Sequence, residues 1–355
     1  MRKARYGLVG FGGIAESRIA KEGFGLDRAR FSGNNKAELV CATDTNPERK
    51  GAAASLGIRW FGSLEEMLDD RSIDALFVTT NNLSHFPIAR AALLGGKHCI
   101  VEKPIATRKE DAEDLCAIAS ERRLSLCVDH MMRFNEYNRK ARELVGGGAI
   151  GEVNDICLHM EFLYGATAAE AAAWRCAAPE ELGGPIGDVG SHCLYMAEFL
   201  LDSPIVQVGC AYLPRRLGLA VEEGAHIQFQ TRRGVWGSSR VSFNSARGSG
   251  EGTLLNLGFE IYGKAGVIRG FGTLFQLSGH PDEPVKLRLE IDRGGSVETV
   301  AVENPANIYQ RLIERHADSV LSRTPLACEE AVHNLELILA CHQSARQGSV
   351  PVPVP

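Results

Sequence analysis

Asp188 and His192 stand four residues apart in Gly183-Gly-Pro-Ile-Gly-Asp188-Val-Gly-Ser-His192, and residues 193–201 continue with a helical apolar pattern. Four residues is one helical turn, so the carboxylate and the imidazole share a face. A carboxylate beside an imidazole sets its tautomer and raises its basicity. That pair suits removal of a proton from a hydroxyl as hydride leaves the same carbon. Plainer uses exist: Asp188 as a helix N-cap or first-turn acid, His192 as a satisfied core histidine. No third ligand with matching spacing accompanies them, so no metal site is expected. A second candidate is Lys103, in Glu102-Lys103-Pro104 directly after a strand-like run over 97–101. Partial desolvation there lowers a lysine's pKa toward neutrality and makes it a proton donor or acceptor. Pro104 stops the strand and fixes the backbone. The plainer reading is a solvated turn lysine.

These side chains need a scaffold, and the chain opens on one. Residues 6–9 read as a strand running into Gly10-Phe11-Gly12-Gly13-Ile14-Ala15, with a helical run over 14–22. In that context G-x-G-x-x-A is a dinucleotide turn. Gly10 allows the tight turn, Gly12 lets backbone approach a pyrophosphate, and Ala15 lets the helix pack on the strand. The helix N-terminus then presents N–H groups to the phosphates. Residues 23–36 read as a loop, and 37–43 as a second strand ending at Asp44. There a carboxylate bonds ribose hydroxyls and repels a 2′-phosphate, so NAD is favoured over NADP, with Arg49 the nearest following cation. Asp44 also suits a helix N-cap. Further strands are expected over 58–61, 73–79, 97–101 and 124–128, with helices over 47–56, 63–68, 83–94 and 107–122. This alternation predicts a parallel sheet covered on both faces, with ligands at the C-terminal strand ends. Those ends carry residues 10–13, Asp44, residues 79–82, residues 102–104 and residues 129–133.

The 355 residues leave room for two cores, with a formal net charge of −5 and no basic, aromatic-interleaved patch of the kind that binds nucleic acid. No apolar run reaches the roughly 18 residues of a membrane span. The first strand begins almost at once, leaving no room for a signal peptide. The ten cysteines are scattered without a C-x-x-C pair, and several lie in apolar runs as buried thiols, which reads as a reducing, cytoplasmic compartment.

Taken in order, the glycine turn, Asp44, Glu102-Lys103-Pro104, Arg133-Phe134 and Asp188-x-x-x-His192 resemble the Gfo/Idh/MocA oxidoreductases, the glucose–fructose oxidoreductase and inositol dehydrogenase family, over nearly the whole chain. The resemblance implies an α/β protein: an N-terminal Rossmann dinucleotide-binding domain over 1–130, then over 131–355 an α/β domain with a large, mostly antiparallel open sheet. It implies reversible oxidation of a sugar or cyclic polyol carbinol with NAD or NADP, in a homodimer or homotetramer. Lys103, Asp188 and His192 would be catalytic. Gly10, Phe11, Gly12, Gly13, Ile14, Asp44, Thr80, Asn81, Asn82, His85, Glu102 and Lys103 would hold the cofactor. Arg133, Trp174, Arg175 and Tyr195 are substrate-side candidates, and His130 a weaker one.

The sequence departs from the family in places. Thr80-Asn81-Asn82-Leu-Ser-His85 has Asn81 where the family has proline, Arg133-Phe-Asn-Glu136 lacks the family's proline, and Tyr195 replaces an acid often found three positions after the histidine. Past a connecting helix over 135–145, a strand over 152–162 and an irregular, Ala-rich segment over 164–184, strand-like runs with Gly-rich turns cover 205–212, 225–230, 235–244, 254–262, 267–269, 285–291 and 297–302. They predict an antiparallel sheet, one face on helices and the other open to a second subunit. Two amphipathic helices follow over 308–321 and 329–344, then an extended Val-Pro tail over 350–355. With His192 as general base, Asp188 orienting it and Lys103 as proton relay, the expected activity is hydride transfer at a carbohydrate carbinol, in a site between the domains. Two other classes share these motifs: a glycoside-cleaving enzyme that keeps NAD bound, and a non-enzymatic dinucleotide sensor.

Overall fold

The protein is described by a computed structural model covering residues 2–245, 257–274, 287–303 and 306–355. Its backbone divides into two compact units. The first holds Met1–Met131 and Asn307–Leu335, the second Met132–Ala306 and Glu336–Pro355. The sequence-based division at 130/131 put residues 307–335 with the second domain. In the structure they pack with the first.

Six strands form the first unit's sheet: β1 (Ala4–Val9), β2 (Ala37–Thr43), β3 (Arg59–Trp60), β4 (Ala75–Val78), β5 (His98–Val101) and β6 (Leu126–Val128). All pair in parallel in the order β3-β2-β1-β4-β5-β6. The order reverses beside β1, and such a reversal opens a crevice at the C-terminal strand ends. Continuous apolar runs suit strands covered on both sides: every residue of β4 is buried. The helix Ala15–Gly23 that follows the glycine turn is π-helical.

The helix Ile308–Ser322 is tied into this unit by polar contacts through its core. The hydroxyl of Tyr6 meets His316 Nδ1 at 2.7 Å, Ser125 and Ser319 share a 2.6 Å hydroxyl contact, and Asn307 Nδ2 donates to Glu22 at 2.8 Å. Burial pushes His316 down to about 3, so this buried imidazole is neutral. Cys116, on the helix Lys109–Arg122, forms a disulfide with Cys328. Eight other cysteines are free thiols. The bonded pair lies 212 residues apart, with no local signature in the sequence.

Among the described residues nine strands form the second unit's sheet: β7 (Val153–Glu161), β8 (Ile205–Tyr212), β9 (Gly224–Thr231), β10 (Trp236–Ser242), β11 (Leu257–Gly263), β12 (Gly266–Phe271), β13 (Arg288–Arg293), β14 (Ser296–Thr299) and β15 (Val352–Pro353). Their order is β14-β13-β12-β11-β7-β10-β9-β8-β15. Every pairing between these strands is antiparallel except β7 with β10. The outer ends of the runs expected over 254–262 and 285–291 lie outside the described residues. In β9, Ala225, Ile227 and Phe229 are buried while His226 and Gln228 are exposed. This alternation places one face on the helices Glu136–Gly146 and Ser191–Leu201, which also pack on each other. The opposite face carries ion pairs, among them Arg240 with Glu161 at 2.7 Å and Arg269 with Asp292 at 3.3 Å. The Val-Pro tail is tied to the sheet. Val352 and Val354 are buried, Val354 N–H donates to Val206 O at 2.8 Å, and the prolines point outward on an edge strand where no ladder N–H is missed.

Candidate active site

In the first unit the glycine turn is built by exclusion. Gly10 has φ of +89°, its N–H donates to Thr43 O at 2.9 Å, and a Cβ there would stand 2.9 Å from the Thr79 carbonyl and the Thr80 methyl. Only glycine fits. Gly12 and Gly13 are the opposite case: among the described residues nothing lies within 4 Å of where their Cβ atoms would be. That open space at the head of the helix Ala15–Gly23 is what a pyrophosphate needs, so the residues present fit a dinucleotide. Ile14 is exposed on the turn and Phe11 is buried beneath it. Asp44, just past β2, accepts hydrogen bonds from the N–H groups of Phe11 and Asn46. Its carboxylate is thereby fastened to the turn itself. Arg49 donates through Nε to Phe11 O at 2.6 Å and pairs with Glu16 at 2.5 Å, so its guanidinium is already engaged.

The loops after β4 and β5 are tied together. Thr80 and Asn81 lead into the helix Asn82–Leu94, and Ser84 Oγ donates to Asn81 Oδ1 at 2.7 Å. Asn82 is buried. His85 is fully buried, with one ring nitrogen 2.7 Å from Pro104 O and the other 3.2 Å from Thr80 O. It clamps the Thr80 loop to Glu102-Lys103-Pro104. Glu102 N–H donates to Val78 O at 2.9 Å, and the Glu102 carboxylate accepts from Lys103 N–H at 3.2 Å. Lys103 is half-buried, and the Lys103–Pro104 peptide is cis. His130, next to the end of β6, is buried.

In the second unit, glycines let the chain enter the His192 helix. A Cβ at Gly183 would meet Arg175 O at 2.5 Å, one at Gly184 the Glu222 carboxylate at 2.6 Å, and one at Gly187 Leu182 O at 1.8 Å. The π-helical turn Ile186–Gly190 carries Asp188 and runs into the helix Ser191–Leu201. His192 is 2% exposed and its Nδ1 meets the Tyr195 hydroxyl at 2.8 Å, the rings in edge contact at 5.4 Å. Asp188 accepts from Arg175 Nε at 3.3 Å. Tyr195 is thus a partner of His192 Nδ1, and Asp188 pairs with Arg175. The Arg175 guanidinium lies 4.2 Å from the Trp174 ring centroid, and Arg133 stacks at 5.5 Å on Phe199, two turns beyond His192. Asp188, His192 and Tyr195 thus follow one another along this stretch, with Arg175 on Asp188 and Arg133 further along on Phe199.

Sequence reasoning missed Glu222. It accepts the Ile186 N–H at 3.0 Å, at the start of the π-helical turn, and burial pushes its carboxyl up to about 7. No local pattern marks it. The Tyr195 contact was legible in principle, since residues three apart on a helix face each other. Among the described residues no group of three His, Cys, Asp or Glu is placed to hold a metal, and no helix is long and apolar enough to cross a membrane.

Residues 4–130 match the family model for the oxidoreductase family with an NAD-binding Rossmann fold, and residues 138–269 match the GFO/IDH/MocA C-terminal domain. Over 350 residues the chain is 27% identical to a 1,5-anhydro-D-fructose reductase from Ensifer adhaerens, covering 97% of each. The fold is similar to that of an aldose-aldose oxidoreductase from Caulobacter crescentus, with a TM-score of 0.84, 21% identity, and 99% and 100% of the two chains covered. It is also similar to an inositol dehydrogenase homologue from Azotobacter vinelandii complexed with NADH and myo-inositol, with a TM-score of 0.79, 21% identity, and 99% and 98% covered. By turn, sheet order and sequence alike, the chain belongs to the Gfo/Idh/MocA oxidoreductases.

Proposed function

We propose that this protein moves a hydride between a nicotinamide cofactor and a carbinol or ketone carbon of a sugar, sugar derivative or cyclic polyol. The observation that carries the reading is the buried His192, whose Nδ1 is already taken by Tyr195 at 2.8 Å. With Nδ1–H donated to the phenolic oxygen, Nε2 keeps its lone pair and accepts a substrate hydroxyl proton. When the carbonyl is reduced, the same nitrogen returns that proton. Asp188 and Arg175 form an ion pair on the turn before His192, which holds the turn and offers a guanidinium to substrate oxygens. Lys103 serves as second proton relay or as donor to the substrate oxygen, held by the Glu102 carboxylate on its own N–H and by the His85 clamp on Pro104.

Gly10–Ile14, Asp44, Thr80, Asn81, Asn82 and Glu102 would hold the dinucleotide, which supplies or accepts the hydride. NAD is favoured over NADP on two grounds. The Asp44 carboxylate is fastened to the turn, where it meets a ribose edge and repels a 2′-phosphate. Arg49, the nearest following cation, is committed to Glu16 and to Phe11 O. The polar outer face of the second sheet is proposed as the surface between copies of the chain.

Nicotinamide absorbance tests the reading. Purified protein with NAD or NADP is assayed in both directions against aldoses, inositols, sugar acids, amino sugars and their keto forms. Turnover with one of them, abolished in His192→Ala, supports the proposal. A protein that neither turns over nor binds either nucleotide overturns it. Nucleotide released only on denaturation, without net turnover, moves the assignment to glycoside cleavage by transient oxidation.

A further inference from the structure

Beneath Lys103 lies a carboxyl group that the reading above does not use. The register of β5 with β6 pairs Val101 with Val128, so Glu102 and Asp129 leave the sheet side by side. Asp129 N–H donates to Val101 O at 2.9 Å, which fixes that placement. The Asp129 side chain has no exposure to solvent, and among the described residues neither carboxylate oxygen has a hydrogen-bond donor. A buried ionised carboxylate without a donor is among the least favourable states in a protein interior, and such a group takes up a proton instead. Once protonated it becomes an O–H donor, and the acceptor beside it is the Glu102 carboxylate.

We propose that Asp129 is a neutral carboxylic acid that donates its proton to Glu102, and that the resulting carboxyl pair positions Lys103. This rests on the reading of Lys103 as a proton relay. The pair shares one proton and carries one negative charge beside Lys103. Glu102, restrained from the Asp129 side, keeps its Oε2 on the Lys103 N–H. Asp129 is therefore a positioning residue acting through Glu102. Its surroundings agree. Burial is the largest influence raising its carboxyl above the usual range, followed by the Glu102 charge and hydrogen bond, while Lys103 pulls the other way. From the helix Ile308–Ser322, the Tyr309 hydroxyl, buried and without an acceptor, feels both carboxyl groups. Arg18 and Glu22 act on that same phenol from the helix Ala15–Gly23.

Asp129→Asn tests this on the full-length protein. The amide keeps the shape and a donor for Glu102 but has no ionisable proton. Infrared difference spectra at neutral pH, wild type minus Asp129→Asn, should show the carbonyl band of a protonated carboxylic acid. The stability arm follows from linkage. The folded state holds the Asp129 proton while the unfolded chain releases it above the ordinary carboxylate range, so wild-type stability falls as pH rises toward the folded pKa. The melting temperature of Asp129→Asn should thus exceed that of wild type by a margin that widens from about pH 5 to about pH 8. With substrate, Asp129→Asn should keep kcat within about threefold, while Asp129→Leu, which has no donor, should lose about tenfold or more in kcat at unchanged KM. No carboxylic band in the difference spectrum, or parallel melting curves across pH, overturns the proposal. Equal kcat in Asp129→Leu and wild type overturns the positioning role. The infrared and melting arms need no substrate, so a failed substrate panel would sink the carbohydrate reading and leave the carboxyl pair standing.

Discussion

Tyr195→Phe isolates the contact that gives His192 its proposed role. The two side chains are 2% and 4% exposed, so bulk water does not replace a lost partner. Phenylalanine keeps the ring and its edge contact at 5.4 Å, and only the hydroxyl 2.8 Å from Nδ1 disappears. A buried polar nitrogen stripped of its partner costs about 1–3 kcal/mol. If Nδ1–H holds the tautomer that keeps the lone pair on Nε2, this cost falls on the state that accepts the proton. At ~1.4 kcal/mol per factor of ten, kcat should fall about 5- to 150-fold, with KM little changed because substrate contacts remain. The assay is steady-state nicotinamide absorbance across pH, with urea unfolding of the same samples to separate stability from catalysis. A kcat within twofold of wild type and an unmoved pH profile would refute the reasoning, showing Tyr195 to be packing and the tautomer to be set elsewhere.

Three further outcomes are expected. Glu222 is raised from 4.5 to about 7, so the folded state holds the proton that the unfolded chain loses, and stability is present below about pH 4.5 and lost as pH rises to about 7. Glu222→Gln keeps an acceptor for Ile186 N–H and should gain about 1–3 kcal/mol over wild type between pH 4 and pH 8, the partly exposed side chain lowering the full linkage value; urea melts at the two pH values check it. Gly10→Ala should lower stability by about 1–3 kcal/mol because its backbone and its neighbours both refuse a Cβ, whereas Gly12→Ala should melt like wild type yet bind NADH more weakly by fluorescence titration. Asp44→Ala should shift the ratio of NAD to NADP affinity toward NADP by about tenfold or more, read from the same titration.

The motifs proposed to carry the chemistry are short and local. The glycine turn, the strand–helix alternation, Asp44 at the end of β2 and Glu102-Lys103-Pro104 after β5 all stand in the structure where the sequence puts them. Each rests on neighbours a few residues apart: an apolar run makes a buried strand, a glycine with φ of +89° makes a turn, four residues make a helical turn. The tertiary structure alone decided the contacts that join distant segments. It placed the helix Ile308–Ser322 with the first unit, through bonds such as Asn307 to Glu22 across 285 residues, and paired β7 in parallel with β10 inside an otherwise antiparallel sheet. It set Glu222 against Gly184, and the solvent-inaccessible Asp129 beside Glu102. Periodicity reports which face of an element is apolar. It carries no record of which other element covers that face, and burial, pairing and proton affinity at these residues are set by that covering.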